Sequence, residues 1–190
     1  MTGRLMSGSA AEGASRARIE FAPADDVAIR YMDRTREYYQ ALGFAPYRWA
    51  HFTDAPFTPL GIPLARARVA LITTAAPLQP EAGDQGPRAP YNAAAKFYQV
   101  YSAPVDAKPD LRISHVGYDR ANTTPEDLDA YFPLGRLHDA VAAGRLGGLT
   151  ARFHGAPTNR SHRVTMETDA PELLRRCRED GADAAVLVPS

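Results

Sequence analysis

The chain has 190 residues, enough for one α/β domain with a proper core and too few for two. Its 22 basic and 22 acidic side chains cancel, so no global field exists to hold nucleic acid or an acidic membrane surface, and both partners are disfavoured. A single cysteine, Cys177, excludes an internal disulfide framework and a thiolate zinc cage and fits a reducing cytoplasm.

The basic residues are almost all arginine, Lys96 and Lys108 excepted, which GC-rich coding explains without a functional role. The opening "MTGRLMSGSAAEGASRA" lacks the continuous apolar core of a signal peptide, and no later run approaches membrane-spanning length. Residues 1–16 read as a mobile tail, with Met6 as an alternative start, ahead of a single domain over 17–190.

In "DDVAIRYMDRTREYYQALG", Ala28, Tyr31, Met32, Thr35, Tyr39 and Leu42 recur near helical spacing and Gly43 closes the run, predicting a first helix with one buried face. "YRWAHFTDAPFTPLGIPL" is broken by proline and glycine and reads as a packed loop. "ARVALITTAA" is apolar and β-branched, a buried strand, and the proline- and glycine-rich "PLQPEAGDQGPRAP" after it is an exposed excursion.

"KFYQVYS" alternates as a strand, and a further strand is expected at Ile113–Val116. Thr124, Pro125 and Asp127 resemble the cap, first position and capping-box partner of a helix. The next helix places Leu134, Leu137, His138 and Val141 on one face and stops at Gly144. "TARFHGAPTNRSHRVTM" reads as a polar loop, followed by a helix capped by Asp169 and ended by Gly181, then the strand "ADAAVLVP". Alternation of strands and helices argues for an α/β fold with a mostly parallel sheet and helices on both faces.

Two polar clusters are candidates for chemistry. His115, Asp119, Arg120, Asn122 and Thr123 follow the expected strand at Ile113–Val116; at the carboxyl tip of a parallel strand they suit binding of a carboxylate or imine, with Arg120 as clamp and His115 as acid or base. The alternative is that Asn122 and Thr123 make turn hydrogen bonds and His115 is a satisfied core side chain. His154, Thr158, Asn159, Ser161 and His162 form the second cluster. With His115 and Asp119 it has the donor types of a zinc or iron site, but no fixed ligand spacing accompanies them. The absence of GxSxG, Walker and GxGxxG motifs removes support for the corresponding hydrolase, P-loop and dinucleotide-binding classes. Cys177 shares the apolar face of its helix with Leu173 and Leu174 and reads as a small buried hydrophobe.

The stretches "ISHVGYDRAN", "YFPLGRL" and "FHGAPTN" resemble the selenoprotein B family of glycine, sarcosine, betaine and D-proline reductases, especially the shorter D-proline reductase B-like members. The likeness runs from about residue 17 onward. It implies a Rossmann-like sheet, a small amino acid or amine as substrate, and His115, Asp119, Arg120, Asn122, His154, Thr158 and Asn159 as pocket residues. It also implies reductive cleavage of a carbon–nitrogen bond, a thiol reductant, and a partner reductase subunit, which in the larger reductases carries a pyruvoyl group.

In that family the strand equivalent to "AAVLVP" leads into a selenocysteine- or cysteine-containing redox pair whose selenolate or thiolate is the nucleophile. Here the sequence reaches Ser190 at that point. A UGA selenocysteine codon read as stop, a trimmed chain and a shortened paralogue are the three accounts, and each leaves the 190 residues without the nucleophile and inactive in reductive cleavage. A non-catalytic binding or assembly module of the same fold is the alternative, with a histidine-based metal enzyme third. A homodimer is expected where loss of the last segment leaves an apolar region of the sheet partly uncovered.

Overall fold

A computed structural model of the chain describes residues 30–77, 97–115, 118–119, 121–157 and 161–190. The expected tail lies outside them, as do Arg120, Thr158 and Asn159. The chain divides into two compact units, Met1–His51 and Phe52–Ser190.

In the first unit, α1 (Tyr31–Ala41) ends where Gly43 adopts φ +80°, a left-handed turn that glycine enters without steric cost. The expected buried face is not formed, since no α1 residue is fully buried. The aromatic rings pack on one another instead. Tyr39 meets Phe44 and Tyr47 at centroid separations of 6.0 and 5.4 Å, Tyr47 meets Trp49 at 5.0 Å, and Trp49 returns to Tyr31 at 5.5 Å.

The second unit is mixed α/β with a mostly parallel sheet. β1 (Arg68–Thr73) lies at its centre. One edge pairs in parallel with β5 (Gly148–Leu149) and β6 (Arg152–Gly155), the other with β7 (Ala184–Val188) over five residue pairs. β3 (Tyr101–Pro104) adds to β6 antiparallel. A separate two-stranded antiparallel piece joins β2 (Ala76–Pro77) to β4 (Leu111–Arg112).

Alternate residues of a strand face opposite sides of the sheet. Val69 packs with Ala140 and Leu146, and Leu71 with Phe132, Leu134 and Phe153, which puts α2 (Leu134–Ala142) over that face. Ala70 and Ile72 pack with Cys177, which puts α4 (Ala170–Glu179) over the other. Helices therefore cover both faces of β1. On α2, Leu134 and Ala140 are buried, whereas His138, expected on the inner face, is exposed. Among the described residues no helix is long and apolar enough to cross a membrane.

Several local expectations are corrected. The strand expected at Ile113–Val116 lies earlier, at Leu111–Arg112, and belongs to the small antiparallel piece rather than to the parallel sheet; Val116 is outside the described residues. No helix starts at Thr124, whose hydroxyl bonds the Glu126 carboxylate; Asp127 instead caps a single 3-10 turn, Leu128–Ala130, through the Asp129 amide. The stretch read as a polar loop contains β6 and the start of the last helical run. There Ser161 Oγ accepts from the Val164 amide at 3.2 Å, α3 (His162–Val164) begins, and a π turn (Thr165–Asp169) leads into α4. Asp169 is thus a buried interior residue of the run and not its cap. The π turn has a cause in Pro171, which has no N–H to donate and whose ring crowds the Glu167 carbonyl four residues back.

Arg112 is fully buried and bonds the Asp110 carboxylate beside it, with Nη2 3.2 Å from Oδ2. Burial of a guanidinium is tolerable only with such a counter-charge.

Gly147 marks the tightest backbone approach. Its amide donates to the Leu64 and Ala67 carbonyls at 3.2 and 3.1 Å, and a Cβ there would run into the Arg66 backbone, whereas a Cβ on Gly148 meets nothing within 4 Å. Gly147→Ala is expected to lower unfolding free energy by about 1–3 kcal/mol, the usual cost of overpacking. Gly148→Ala should stay within about 0.5 kcal/mol of the parent. Urea denaturation of the two variants checks the contrast.

Candidate functional site

The carboxyl ends of the parallel strands lie side by side. At the tip of β1 the Thr73 hydroxyl is committed, donating to the Tyr131 carbonyl at 2.8 Å and accepting from the Ala75 amide at 3.1 Å. The next residue reaches across to the end of β7: Thr74 Oγ1 accepts from the Ser190 amide at 2.7 Å and lies 3.0 Å from Ser190 Oγ. At the tip of β6, Gly155 leaves room for the Tyr101 ring, which a Cβ would strike, and the Tyr101 hydroxyl donates to the Ala75 carbonyl at 2.8 Å. Burial pushes the Tyr101 phenol well above its usual range, so it is neutral at any physiological pH.

The first polar cluster folds onto itself. Asp119 Oδ1 accepts from the Ala121 and Asn122 amides at 2.9 and 3.2 Å, its Oδ2 accepts from Asn122 Nδ2 at 2.9 Å, and Thr123 Oγ1 bonds the Asp119 carbonyl. Asp119 and Asn122 thereby satisfy each other in an exposed turn. These bonds, the Asn122 side chain first, lower the Asp119 pKa. His115 is half-buried, and burial lowers its pKa. Its segment packs through Ile113 and Tyr118 into the core on the α2 face.

His154 is elsewhere. Its neighbour Phe153 points into that same α2-face core, so His154 turns to the α4 face. The structure therefore does not bring His115 and His154 into one pocket. His154 is 0% exposed, with Nδ1 2.8 Å from Ser102 Oγ on β3 and Nε2 3.4 Å from Asp180 Oδ2 at the end of α4. The second of these is an approach and not an aligned hydrogen bond. Asp180 is gripped by Arg152, through Nε at 3.0 and 3.2 Å and Nη2 at 2.7 Å. Arg176 Nη1 donates to Ser102 Oγ at 2.8 Å and its Nε to Glu172 at 2.7 Å.

Desolvation is the main influence on His154 and lowers its pKa. Asp180 opposes the shift, while Arg152 and Arg176 reinforce it. Of this array the sequence reading named only His154. Ser102, Asp180, Arg152 and Arg176 meet through strand register and helix placement, which no short motif encodes.

Cys177 is buried against Ala70 and Ile72, as its helical spacing predicts, and burial raises its thiol pKa. Among the described residues no group of three or more His, Cys, Asp or Glu side chains is placed to hold a metal ion. A shallow cleft of about 330 Å³ between residues 58–62 and the start of β7 contains one ionisable side chain, Asp183, whose Oδ2 already accepts from the Arg68 amide.

A histidine whose folded pKa lies below its unfolded value near 6.5 contributes stability that is complete above that value and is lost as pH falls, because the unfolded imidazole takes the proton first. The unfolding free energy is thus expected to decline from pH 7 toward pH 5. His154→Gln should flatten that decline, leaving the part due to His115, as measured by denaturant titration at several pH values. Comparison of the chain with protein-family models, with curated proteins and with solved structures returns no match.

Proposed function

We propose that the unit Phe52–Ser190 is a small-molecule-binding domain of Rossmann-like design, related to the selenol- and thiol-dependent reductases that its sequence resembles. Its ligand, a small amino acid or amine, sits at the carboxyl ends of β1, β6 and β7. The observation that supports this most is topological. The chain passes from β1 to β6 by way of α2 on one face, and from β6 to β7 by way of α4 on the other. In open parallel sheets the crevice between strands whose connections diverge in this way is where ligands bind. Thr74 and Ser190 border it with hydroxyl groups, and the Tyr101 ring fills the space over Gly155 beside it.

The only cysteine bears on the chemistry. Cys177 is buried on the inner face of α4 with a raised pKa, the opposite of what a nucleophilic thiolate requires. Within these 190 residues the domain therefore binds without reducing; turnover in the manner of the reductases needs a selenol or thiol from outside them. The same burial favours the second reading, a binding module with no redox step.

Thermal unfolding in the presence of glycine, sarcosine, betaine and D-proline tests the proposal. One of the four is expected to raise the melting temperature saturably, with about 2.7 kcal/mol of stabilisation at a hundred times its dissociation constant. Absence of a saturable shift with all four overturns the ligand class.

A further inference from the structure

Ser102, His154 and Asp180 come from three distant parts of the chain and meet on the α4 face of the sheet, with His154 one residue before the end of β6. In the antiparallel register of β3 and β6, Ser102 lies opposite His154, so both side chains leave the same face of the sheet. A carboxylate only accepts, so the Asp180 oxygen 3.4 Å from Nε2 favours the neutral tautomer that carries its proton there. In that tautomer Nδ1 is bare and takes the Ser102 hydroxyl hydrogen, while Ser102 Oγ accepts from Arg176. Asp180 is in turn immobilised by its two-pronged contact with Arg152.

We propose that Ser102 is an activated nucleophile for acyl transfer, with His154 as its general base, Asp180 as the positioning residue for the imidazole, and Arg176 as the positive charge beside the developing oxyanion. The substrates are activated carboxylic esters that reach Ser102 from the outer edge of β3, which pairs only with β6 among the described residues. Ser102 is partly exposed, whereas His154 is fully shielded, the division of labour that an attacking group and its base require.

The step balances without a further reactant. Ser102 Oγ bonds the acyl carbon while its proton passes to Nδ1 of His154, and the alcohol leaves with that proton. Water then attacks the acyl-serine, again giving a proton to Nδ1, and the carboxylic acid departs as the Ser102 hydroxyl is restored. The groups facing His154 set the working pH range. They are Ser102 from β3, Arg152 from β6, and Arg176 and Asp180 from α4 and its end, with apolar Ile72 alongside on β1. Full burial and two guanidinium groups, opposed by one carboxylate, keep the imidazole neutral and able to accept a proton at pH 7. This activity uses different residues from the ligand crevice, so neither reading depends on the other.

A purely structural clamp between α4 and the sheet would use the same hydrogen bonds, so the test must read covalent chemistry. The unsubstituted full chain is treated with a small fluorophosphonate, in which serine oxygen displaces fluoride from phosphorus, and the adduct is mapped by peptide mass spectrometry. One adduct per chain on Ser102 is expected, formed more slowly as pH falls through protonation of His154. His154→Gln is expected to slow labelling by about a hundredfold, the lower range for loss of a general base. No adduct, or an adduct on another residue, in protein that melts cooperatively overturns the proposal. Because the deciding measurement is made on the unsubstituted chain, it stands even if a variant fails to fold.

Discussion

Six residues, Arg68–Thr73, constrain everything in the larger unit. β1 has both edges paired and both faces covered, and Val69 through Thr73 are all buried. A strand in that position must be apolar on both sides, which is why it reads as a continuous run and not as an alternation. Its two sides do different work. Val69 and Leu71 anchor a large aromatic core in which Phe132 and Phe153 meet edge to face at 4.6 Å. Ala70 and Ile72 offer α4 only a narrow apolar strip with Cys177, Leu173 and Ala182. At about 1.5–3 kcal/mol for each large aliphatic side chain buried, the first face is much the stronger.

The thin apolar contact under α4 explains the polar array at its edge. Asp180 stands just past the carboxyl end of the helix, where the helix dipole disfavours a negative charge. Arg152 relieves that conflict by reaching from β6 to hold the carboxylate with two nitrogens; the Asp180 side chain is only 9% exposed, whereas that of Arg152 is 40% exposed and keeps contact with solvent. Arg176 ties the same helix to Ser102 on β3. The last helix is thus fastened to the sheet by directional bonds as much as by burial, and the fully enclosed His154 is the point at which they converge. The bonds that fasten the helix also set the Ser102, His154 and Asp180 side chains within reach of one another.

What was legible in the sequence follows from range. "ARVALITTAA" announces a central strand through its composition alone, and Gly43, Gly144 and Gly181 mark helix ends because each adopts a positive φ. β6 escaped notice because Arg152 and His154 look solvent-exposed in a linear reading, although the first is paired and the second is buried. The last helical run is capped eight residues before its apparent cap, since Ser161 supplies the real one and Pro171 forces a π turn that disrupts the 3.6-residue period. The turn containing Asp119 and Asn122 follows local hydrogen-bonding rules, which is why its self-satisfied form is legible in the sequence. Ser102 and Asp180 could not be singled out, because their meeting with His154 is a matter of register across 52 residues and helix placement across 26.

The tautomer of His154 is the most direct test of this account. Nitrogen-15 shifts of its ring, recorded by NMR at pH 7 and through acid titration, distinguish the two nitrogens. The array described here requires a neutral ring with the proton on Nε2 and Nδ1 bare, titrating below the ordinary histidine value. A ring protonated on Nδ1, or an imidazolium already present at pH 7, contradicts both the direction of the Ser102 bond and the role assigned to the base.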